Sequence, residues 1–336
     1  MPEKVRWGIL GAAKIAIKKV VPGMQRGQWS DIVAYASRDI RKAEAAAKEN
    51  GVARAYGSYE ELLADPSIEA IYNPLPNHLH VPWSVKALEA GKHVLCEKPL
   101  AMNAAEVRAL IAARDRSGKK AGEAFMVRTH PQWIRALELV RAGKIGKLRA
   151  VSVAFSYDNH DAANIRNIPE AGGGALMDIG CYAIFASRMI FGEEPLRIVS
   201  LVERDPEFKT DRLTSALIEY PSGHATFTCS TQLVPYQRVQ IFGTRGRIEI
   251  EIAFNAPVER PCRIFIDDGR DFLGSGITTE TFPTCDQYQI QGDAFSRAIR
   301  ENTEVPVSLE TALGNMAVID AVFRSAETGR WEKPQI

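Results

Sequence analysis

The stretch Val5-Arg-Trp-Gly8-Ile-Leu-Gly11-Ala12-Ala13-Lys14-Ile15-Ala16 decides the fold. Val5–Leu10 is an apolar run that reads as a strand, Gly11 allows a tight turn, and a helix is expected from about Lys14, with a bend at Pro22-Gly23. In such a strand–turn–helix, glycines let backbone N–H groups approach a pyrophosphate at the helix N-terminus. Set against G-x-G-x-x-G/A, residues 11–16 keep the first glycine, carry Ala13 in the middle and end on the permitted Ala16. Gly11, Ala12, Ala13, Lys14 and Ile15 are therefore candidate phosphate contacts, although an ordinary packing turn carries the same letters.

Outward from this turn, strands and helices alternate. Ile32–Ser37, Ala70–Asn73, His93–Cys96 and Ala121–Met126 read as strands. Between them, Asp39 caps a helix that stops at Gly51, Ser58-Tyr-Glu-Glu61 is a capping box, Pro82–Ala90 is a helix, and Asn103 opens another that ends at Gly118. Repeated β-α-β units require a parallel sheet. Beyond residue 130 the order changes. Helices at 132–141 and 177–191 bracket a strand at 148–157, and strand candidates follow at 197–203, 213–220, 225–232, 238–242 and 247–252. Successive strands at this spacing predict a mainly antiparallel sheet. Late helices are expected at 286–300 and 308–326. The expected class is α/β: a doubly wound domain over residues 1–125, then an α+β domain over 126–336 with a large open sheet.

Composition narrows the function. The 336 residues carry a formal net charge of +1, with 46% apolar and 25% charged side chains. That gives no electrostatic footprint for nucleic acid or an anionic membrane, and excludes a disordered chain. No uninterrupted run of 18 apolar residues occurs. The opening MPEKVRWGIL lacks the successive regions of a secretory signal, so a cytoplasmic location is expected. The five cysteines contain no C-x-x-C pair and are expected as free thiols. The few scattered histidines show no metal-ligand spacing, so no metal is expected.

Three further places carry chemistry. The end of the second strand reads Ser37-Arg38, with Lys42 one turn on, where an NAD-binding chain usually has an acidic residue. A hydroxyl with a guanidinium suits a 2′-phosphate, so NADP is favoured over NAD. Glu97-Lys98-Pro99 follows the strand at 93–96, on the edge where open α/β sheets bind ligands. Gly172-Gly-Gly-Ala-Leu-Met-Asp178-Ile-Gly-Cys-Tyr182 begins with a turn of close backbone approach, then places Asp178 and Tyr182 four apart on one helix face. A buried Asp and Tyr need partners, and a lysine such as Lys98 could serve both. The plain alternative is a capping Asp and a core Tyr.

Taken together, Gly8-x-x-Gly11…Ile15-Ala16, Asn73-Pro-Leu-Pro-Asn77-His78, Ala90-Gly-Lys-His-Val-Leu-Cys-Glu97-Lys98-Pro99-Leu100 and Gly172-Gly173-Gly174-x-x-x-Asp178-x-Gly180-x-Tyr182 resemble the Gfo/Idh/MocA oxidoreductases along nearly the whole chain. The resemblance implies an N-terminal Rossmann domain that binds NADP and a C-terminal domain that binds substrate. It also implies a cis Lys98–Pro99 bond, contacts to the cofactor from Pro74, Leu75, Asn77, His78, Glu97 and Lys98, and a homodimer or homotetramer formed through the C-terminal sheet. Tyr182, where many relatives carry His, and the run Glu123–Gln132 look like the branch of glucose–fructose oxidoreductase, D-xylose dehydrogenases and dihydrodiol dehydrogenases.

Oxidising a hydroxyl removes a hydride from carbon and a proton from oxygen, and the nicotinamide takes the hydride. Tyr182 is the expected proton acceptor, Lys98 the charge that lowers its pKa, and Asp178 the group that orients Lys98 or a substrate hydroxyl. Arg128, His130, Tyr157, Asn159, His160 and Arg166 are candidate lining for a neutral sugar. The expected activity is an NADP-dependent aldose dehydrogenase of the D-xylose or D-glucose type, giving a lactone. The alternatives are a sugar–sugar oxidoreductase with tightly bound NADP, a keto-sugar or trans-dihydrodiol reductase, and, remotely, a non-enzymatic NADP-binding regulator.

Overall fold

The computed structural model describes residues 3–336. They form two compact units, residues 3–129 with 286–313 and residues 130–285 with 314–336.

The first unit follows the expected alternation. Its elements are β1 (Val5–Leu10), α1 (Val21–Arg26), β2 (Ser30–Ala36), α2 (Ile40–Glu49), β3 (Arg54–Tyr56), α3 (Tyr59–Ala64), β4 (Ala70–Asn73), α4 (His80–Glu89), β5 (His93–Cys96), α5 (Ala104–Ser117) and β6 (Ala121–Glu123). The strands pair in parallel in the order β3-β2-β1-β4-β5-β6. This is a Rossmann sheet, whose strand order reverses between β1 and β4, the switch point where ligands bind. Local chemistry sets the helix starts. The Asp39 side chain accepts from Arg41 N at 3.1 Å, Ser58 Oγ from Glu61 N at 3.1 Å, and Asn103 Oδ1 from Glu106 N at 3.0 Å. The capping box at Ser58 is displaced by one residue, because Glu61 reaches back to Gly57 N rather than to Ser58 N. β6 ends at Glu123, short of the expected Met126, because Phe125 N turns back to Glu123 O and a 3₁₀ turn follows at Met126–Thr129.

The second unit contains α6 (Pro131–Arg141), β7 (Leu148–Asp158), α7 (Cys181–Phe191), β8 (Arg197–Arg204), β9 (Asp211–Tyr220), β10 (Gly223–Ser230), β11 (Gln232–Gly243), β12 (Arg247–Ile250), β13 (Cys262–Asp267) and β14 (Ile277–Phe282). Its sheet runs β14-β13-β12-β11-β7-β10-β9-β8, antiparallel throughout except for the parallel β7–β10 pair. Val151, Val153, Phe155, Phe227, Val239, Ile241, Ile248 and Ile250 are buried on one face, in step with the period of two. α6 and α7 pack on this sheet, and the Trp133 indole N–H is held by Ala253 O at 2.7 Å. The sequence reading did not include β3, β13 or β14.

The chain then returns to the first unit with α8 (Gln287–Arg300); of the last helix, α9 (Leu309–Thr328), residues 309–313 belong to the first unit and the rest to the second. α8 belongs there because it completes the core beneath β1. The Trp7 and Phe295 ring centroids lie 5.7 Å apart, Trp7 Nε1 donates to Ser296 Oγ at 3.0 Å, and Arg300 forks onto both oxygens of Glu69. The stretch Pro169–Phe191 has the length and apolarity of a membrane span, but it is mostly buried and works as core. All five cysteines are free thiols.

Candidate active site

In the first unit the candidate residues gather at the carboxyl ends of the parallel strands. Gly11 follows β1 with φ +81°, and a Cβ there would meet Leu75 Cδ2 at 2.9 Å. Its N–H donates to Ala36 O at 2.7 Å, which ties the turn to the end of β2. Ala12 and Ala13 are half-buried, and Lys14 and Ile15 are exposed. The helix then runs through a π turn (Ala16–Val20) before α1, where the bend at Pro22-Gly23 was expected. The first N–H groups of a helix have no intrahelical partner and can face an anion.

At the end of β2, Ser37 is buried and its Oγ accepts from Asp39 N at 3.3 Å. Arg38 and Lys42 are exposed. The Arg38 guanidinium bonds the hydroxyl of Tyr59, whose pKa burial raises while Arg38 opposes. That hydroxyl is 3.7 Å from where a Gly11 Cβ would sit, so Tyr59 links Arg38 to the glycine turn, a role the sequence reading missed. Asp39 is engaged as the α2 cap and in an ion pair with Arg41. The groups left facing outward at this edge are cationic, so the donor set fits a nucleotide bearing a 2′-phosphate.

Beyond β4, Pro74 and Leu75 are buried, Asn77 half-buried and His78 exposed. Asn73 is buried and spent on His80 O, Ser84 Oγ and Leu75 N. His80, also missed, bridges two loops, with Nε2 2.6 Å from Leu75 O and Nδ1 2.8 Å from Pro99 O. Two acceptors favour the protonated ring, but burial dominates and pushes its pKa down to about 4. At the end of β5, Glu97 accepts from Tyr72 Oη at 2.6 Å and from Lys98 N at 3.3 Å. The Lys98–Pro99 bond is cis, as the resemblance implies. Lys98 is half-buried, and its ammonium acts on His80. Arg128 lies half-buried in the 3₁₀ turn of this unit.

In the second unit Asp178 is the centre. It lies on a π turn (Leu176–Gly180) that leads directly into α7. Such turns recur at functional sites. One of its oxygens, Oδ2, accepts from Tyr157 Oη at 2.6 Å and from Arg166 Nε at 2.8 Å. These two side chains, from β7 and from the loop ahead of the glycine turn, hold that oxygen. Arg166 is held more basic than usual, chiefly by Asp178, and Tyr157 is pushed up by burial and then by Asp178. Tyr182 is buried between Phe155 and Phe254, with ring centroids at 5.9 and 5.2 Å. The Arg166 charge also reaches Tyr182.

The triple glycine has a local cause. Gly172 and Gly174 have φ +80° and +115°, and a Cβ on Gly173 would come 2.5 Å from Arg166 O. Gly174 N donates to Arg166 O at 2.8 Å. The close approach read from the sequence is therefore to the backbone that carries Arg166.

Three more of the proposed lining residues have local surroundings of their own. His130 is buried as the N-cap of α6: Nδ1 accepts from Gln132 N at 3.3 Å, Nε2 faces Cys285 Sγ at 3.4 Å, and burial pushes its pKa to about 4. His160 is exposed and lies 3.0 Å from Asp158, and Asn159 is half-buried beside it. Among the described residues no cluster of three His, Cys, Asp or Glu could hold a metal ion.

Comparison with known proteins gives a consistent result. A model of the oxidoreductase family with the NAD-binding Rossmann fold matches residues 5–125, and one of the GFO/IDH/MocA C-terminal domain matches 133–249. The D-xylose 1-dehydrogenase (NADP(+)) 2 of Haloferax volcanii is 40% identical over 96% of this chain and 98% of its own. Aldose-aldose oxidoreductase from Caulobacter crescentus superposes with a TM-score of 0.90 at 27% identity, covering 98% and 100% of the two chains. KijD10, a 3-ketoreductase from Actinomadura kijaniata solved with NADP, gives 0.89 at 26%, covering 96% and 98%. That reductase was also solved with a tyrosine replaced by phenylalanine, and with a lysine replaced by alanine or glutamate.

Proposed function

The chain belongs to the Gfo/Idh/MocA oxidoreductase family, and we propose that it is an NADP-dependent sugar dehydrogenase that oxidises an aldose of the D-xylose or D-glucose type at C1 to the lactone. The observation that carries this reading is the Asp178 cluster. A carboxylate fixed by Tyr157 and Arg166 stands on the same turn-and-helix segment as a buried tyrosine that feels a guanidinium. Such a setting suits proton transfer to or from a hydroxyl.

In this reading residues 1–125 bind the cofactor and 126–336 the substrate. The Gly11–Ile15 turn takes the pyrophosphate, and Ser37, Arg38 and Lys42 the 2′-phosphate. Pro74, Leu75, Asn77, His78, Glu97 and Lys98 border the nicotinamide end. Bound there, the nicotinamide supplies the acceptor for a hydride. Tyr182 Oη takes the proton of the substrate hydroxyl. A free phenol ionises near pH 10, and a neighbouring cation lowers that by about 1–3 units. Lys98 and Arg166 are the two cations proposed for this work. Asp178 keeps Arg166 in place and, with Tyr157, offers hydrogen bonds to the sugar's other hydroxyls. The two positions replaced in the solved variants of the 3-ketoreductase are 84 residues apart, lysine first. Lys98 and Tyr182 have the same order and separation (182 − 98 = 84), which supports pairing them in one reaction.

A second reading is favoured by the aldose-aldose oxidoreductase and the 3-ketoreductase among the structural neighbours. In it the protein retains NADP and passes hydride between sugars, or reduces a keto-sugar. One experiment separates the two: absorbance at about 340 nm after D-xylose or D-glucose and excess NADP⁺ are added. Sustained turnover supports the dehydrogenase. A single step of one equivalent per subunit supports a retained cofactor. No change with any sugar in either direction contradicts both. We further propose a homodimer or homotetramer through the second sheet, whose other face leaves Leu201 and Val234 79% and 76% exposed. Light scattering that gives a monomer mass would contradict it.

A further inference from the structure

Asp211, the first residue of β9, is only 2% exposed. One carboxylate oxygen, Oδ2, accepts from Leu176 N at 2.6 Å and from Thr214 Oγ1 at 3.0 Å. The other, Oδ1, lies against Gly174, where any Cβ would collide with it. The carboxylate therefore sits between the glycine turn and the first residue of the π turn that bears Asp178. On its other side the same glycine turn is bonded to the backbone of Arg166. Asp211 is thus joined, through one short turn, to both the segment that presents Arg166 and the one that presents Asp178 and leads to Tyr182.

Holding a helix N–H needs only a neutral acceptor, so a buried carboxylate here calls for a reason. Burial raises its pKa to about 6, against the opposing pull of Leu176 N–H, the Thr214 hydroxyl and the Arg204 charge on β8. The other titratable groups at this place are the Cys229 thiol on β10 and, through it, the Cys181 thiol at the start of α7 and Asp178 on the π turn. With a folded pKa above the unfolded one, the folded state binds the proton more tightly. The ionised form therefore costs stability, which falls as pH rises through the window from about 4 to 6. A residue kept for stability alone would carry no charge.

We propose that Asp211 is a positioning residue: its ionised carboxylate seats the π turn and so fixes Asp178 and Tyr182 in working geometry. This rests on the reading of Tyr182 as the proton carrier. Charge on Asp211 tightens the turn and protonation slackens it.

The test compares wild type with Asp211→Asn in three measurements. Hydrogen exchange of residues 175–182, corrected for intrinsic pH effects, should quicken in wild type between about pH 8 and pH 5 and stay level in the variant. Wild-type kcat should fall below about pH 6, whereas the variant should lack that limb and have a plateau about 10- to 100-fold lower. The variant's Tm at about pH 8 should equal or exceed that of wild type. Wild-type kcat and pH profile in the variant would overturn the proposal. So would a kcat loss matched by a fall in Tm, which marks a merely structural role. Exchange in wild type that ignores pH would overturn it with no variant needed. If the exchange behaves as described but no sugar is turned over, the positioning stands and the reading of the reaction falls.

Discussion

Tyr157 Oη donates to Asp178 Oδ2 at 2.6 Å, from strand β7 to the π turn ahead of α7. The bond joins a sheet residue to a helix start 21 positions away and shares its acceptor with Arg166. A carboxylate oxygen held by a phenol and a guanidinium has a fixed direction, and it aims whatever the cluster presents to a substrate.

Replacing Asp178 by Asn keeps the shape and removes the charge that holds Arg166. The loss of a charge-assisted bond, about 1.5–3 kcal/mol, predicts that kcat/KM for the sugar falls about 10- to 100-fold. The dissociation constant of NADPH should change little. Titration of the variant by nicotinamide fluorescence, alongside kinetics, checks both halves. A variant that lost cofactor and sugar binding equally would argue against a substrate-side role.

The cofactor assignment is tested at the end of β2. Arg38→Ala removes the exposed guanidinium beside Tyr59. We expect KM for NADP⁺ to rise about 10- to 100-fold while NAD⁺ changes by no more than about threefold. Ser37→Asp should shift the preference further toward NAD⁺. Equal effects on the two cofactors would remove the 2′-phosphate from this place.

The glycine turn gives a stability contrast. At Gly174 an added Cβ collides with Asp211 Oδ1, at φ +115°. Gly174→Ala should therefore cost more than about 3 kcal/mol, through strain and through the displaced carboxylate. Gly192, at φ +66°, has nothing within 4 Å of such a Cβ, and Gly192→Ala should cost only about 1 kcal/mol. Urea denaturation of both variants decides it, and equal losses would contradict the collision.

Asp65 sets an acid limit for the first unit. Burial pushes its pKa up, but bonds from Tyr56 and Ser67 and the Arg54 charge win and hold it at about 2. A carboxyl with a lowered folded pKa stabilises above its unfolded value and loses that contribution as pH falls from about 4 toward 2. Asp65→Asn should therefore cost about 1–2 kcal/mol at neutral pH, with the gap to wild type closing in acid. A gap of constant size across that range would locate the loss in packing instead.

Much of this architecture was legible because it rests on local signals. The caps at Asp39, Ser58 and Asn103 and the stops at Gly51 and Gly118 bound their helices as read. β14 was not legible: Ile277-Thr-Thr-Glu-Thr-Phe282 is an edge strand with few apolar residues, and its partner β13 supplies the register. The helical pattern of α8 shows in the sequence, but that it packs under Trp7 does not, since the partner lies 289 positions away. The same limit applies at the site. Tyr157 and Arg166 were named singly, but their meeting on Asp178 is tertiary. Asp211 gave no signal, because an acidic residue opening a strand reads as a turn. His130, followed by Pro131 at a helix start, carried a capping signal that could have withdrawn it from the substrate list.

The most direct measurement is kcat of Tyr182→Phe, with NADPH binding measured on the same preparation. Phe keeps the ring between Phe155 and Phe254 and removes only the hydroxyl. Loss of a general acid–base group predicts a fall in kcat of about 10²–10⁴ with NADPH affinity unchanged. Turnover within about threefold of wild type would contradict the assignment of Tyr182 as the proton carrier.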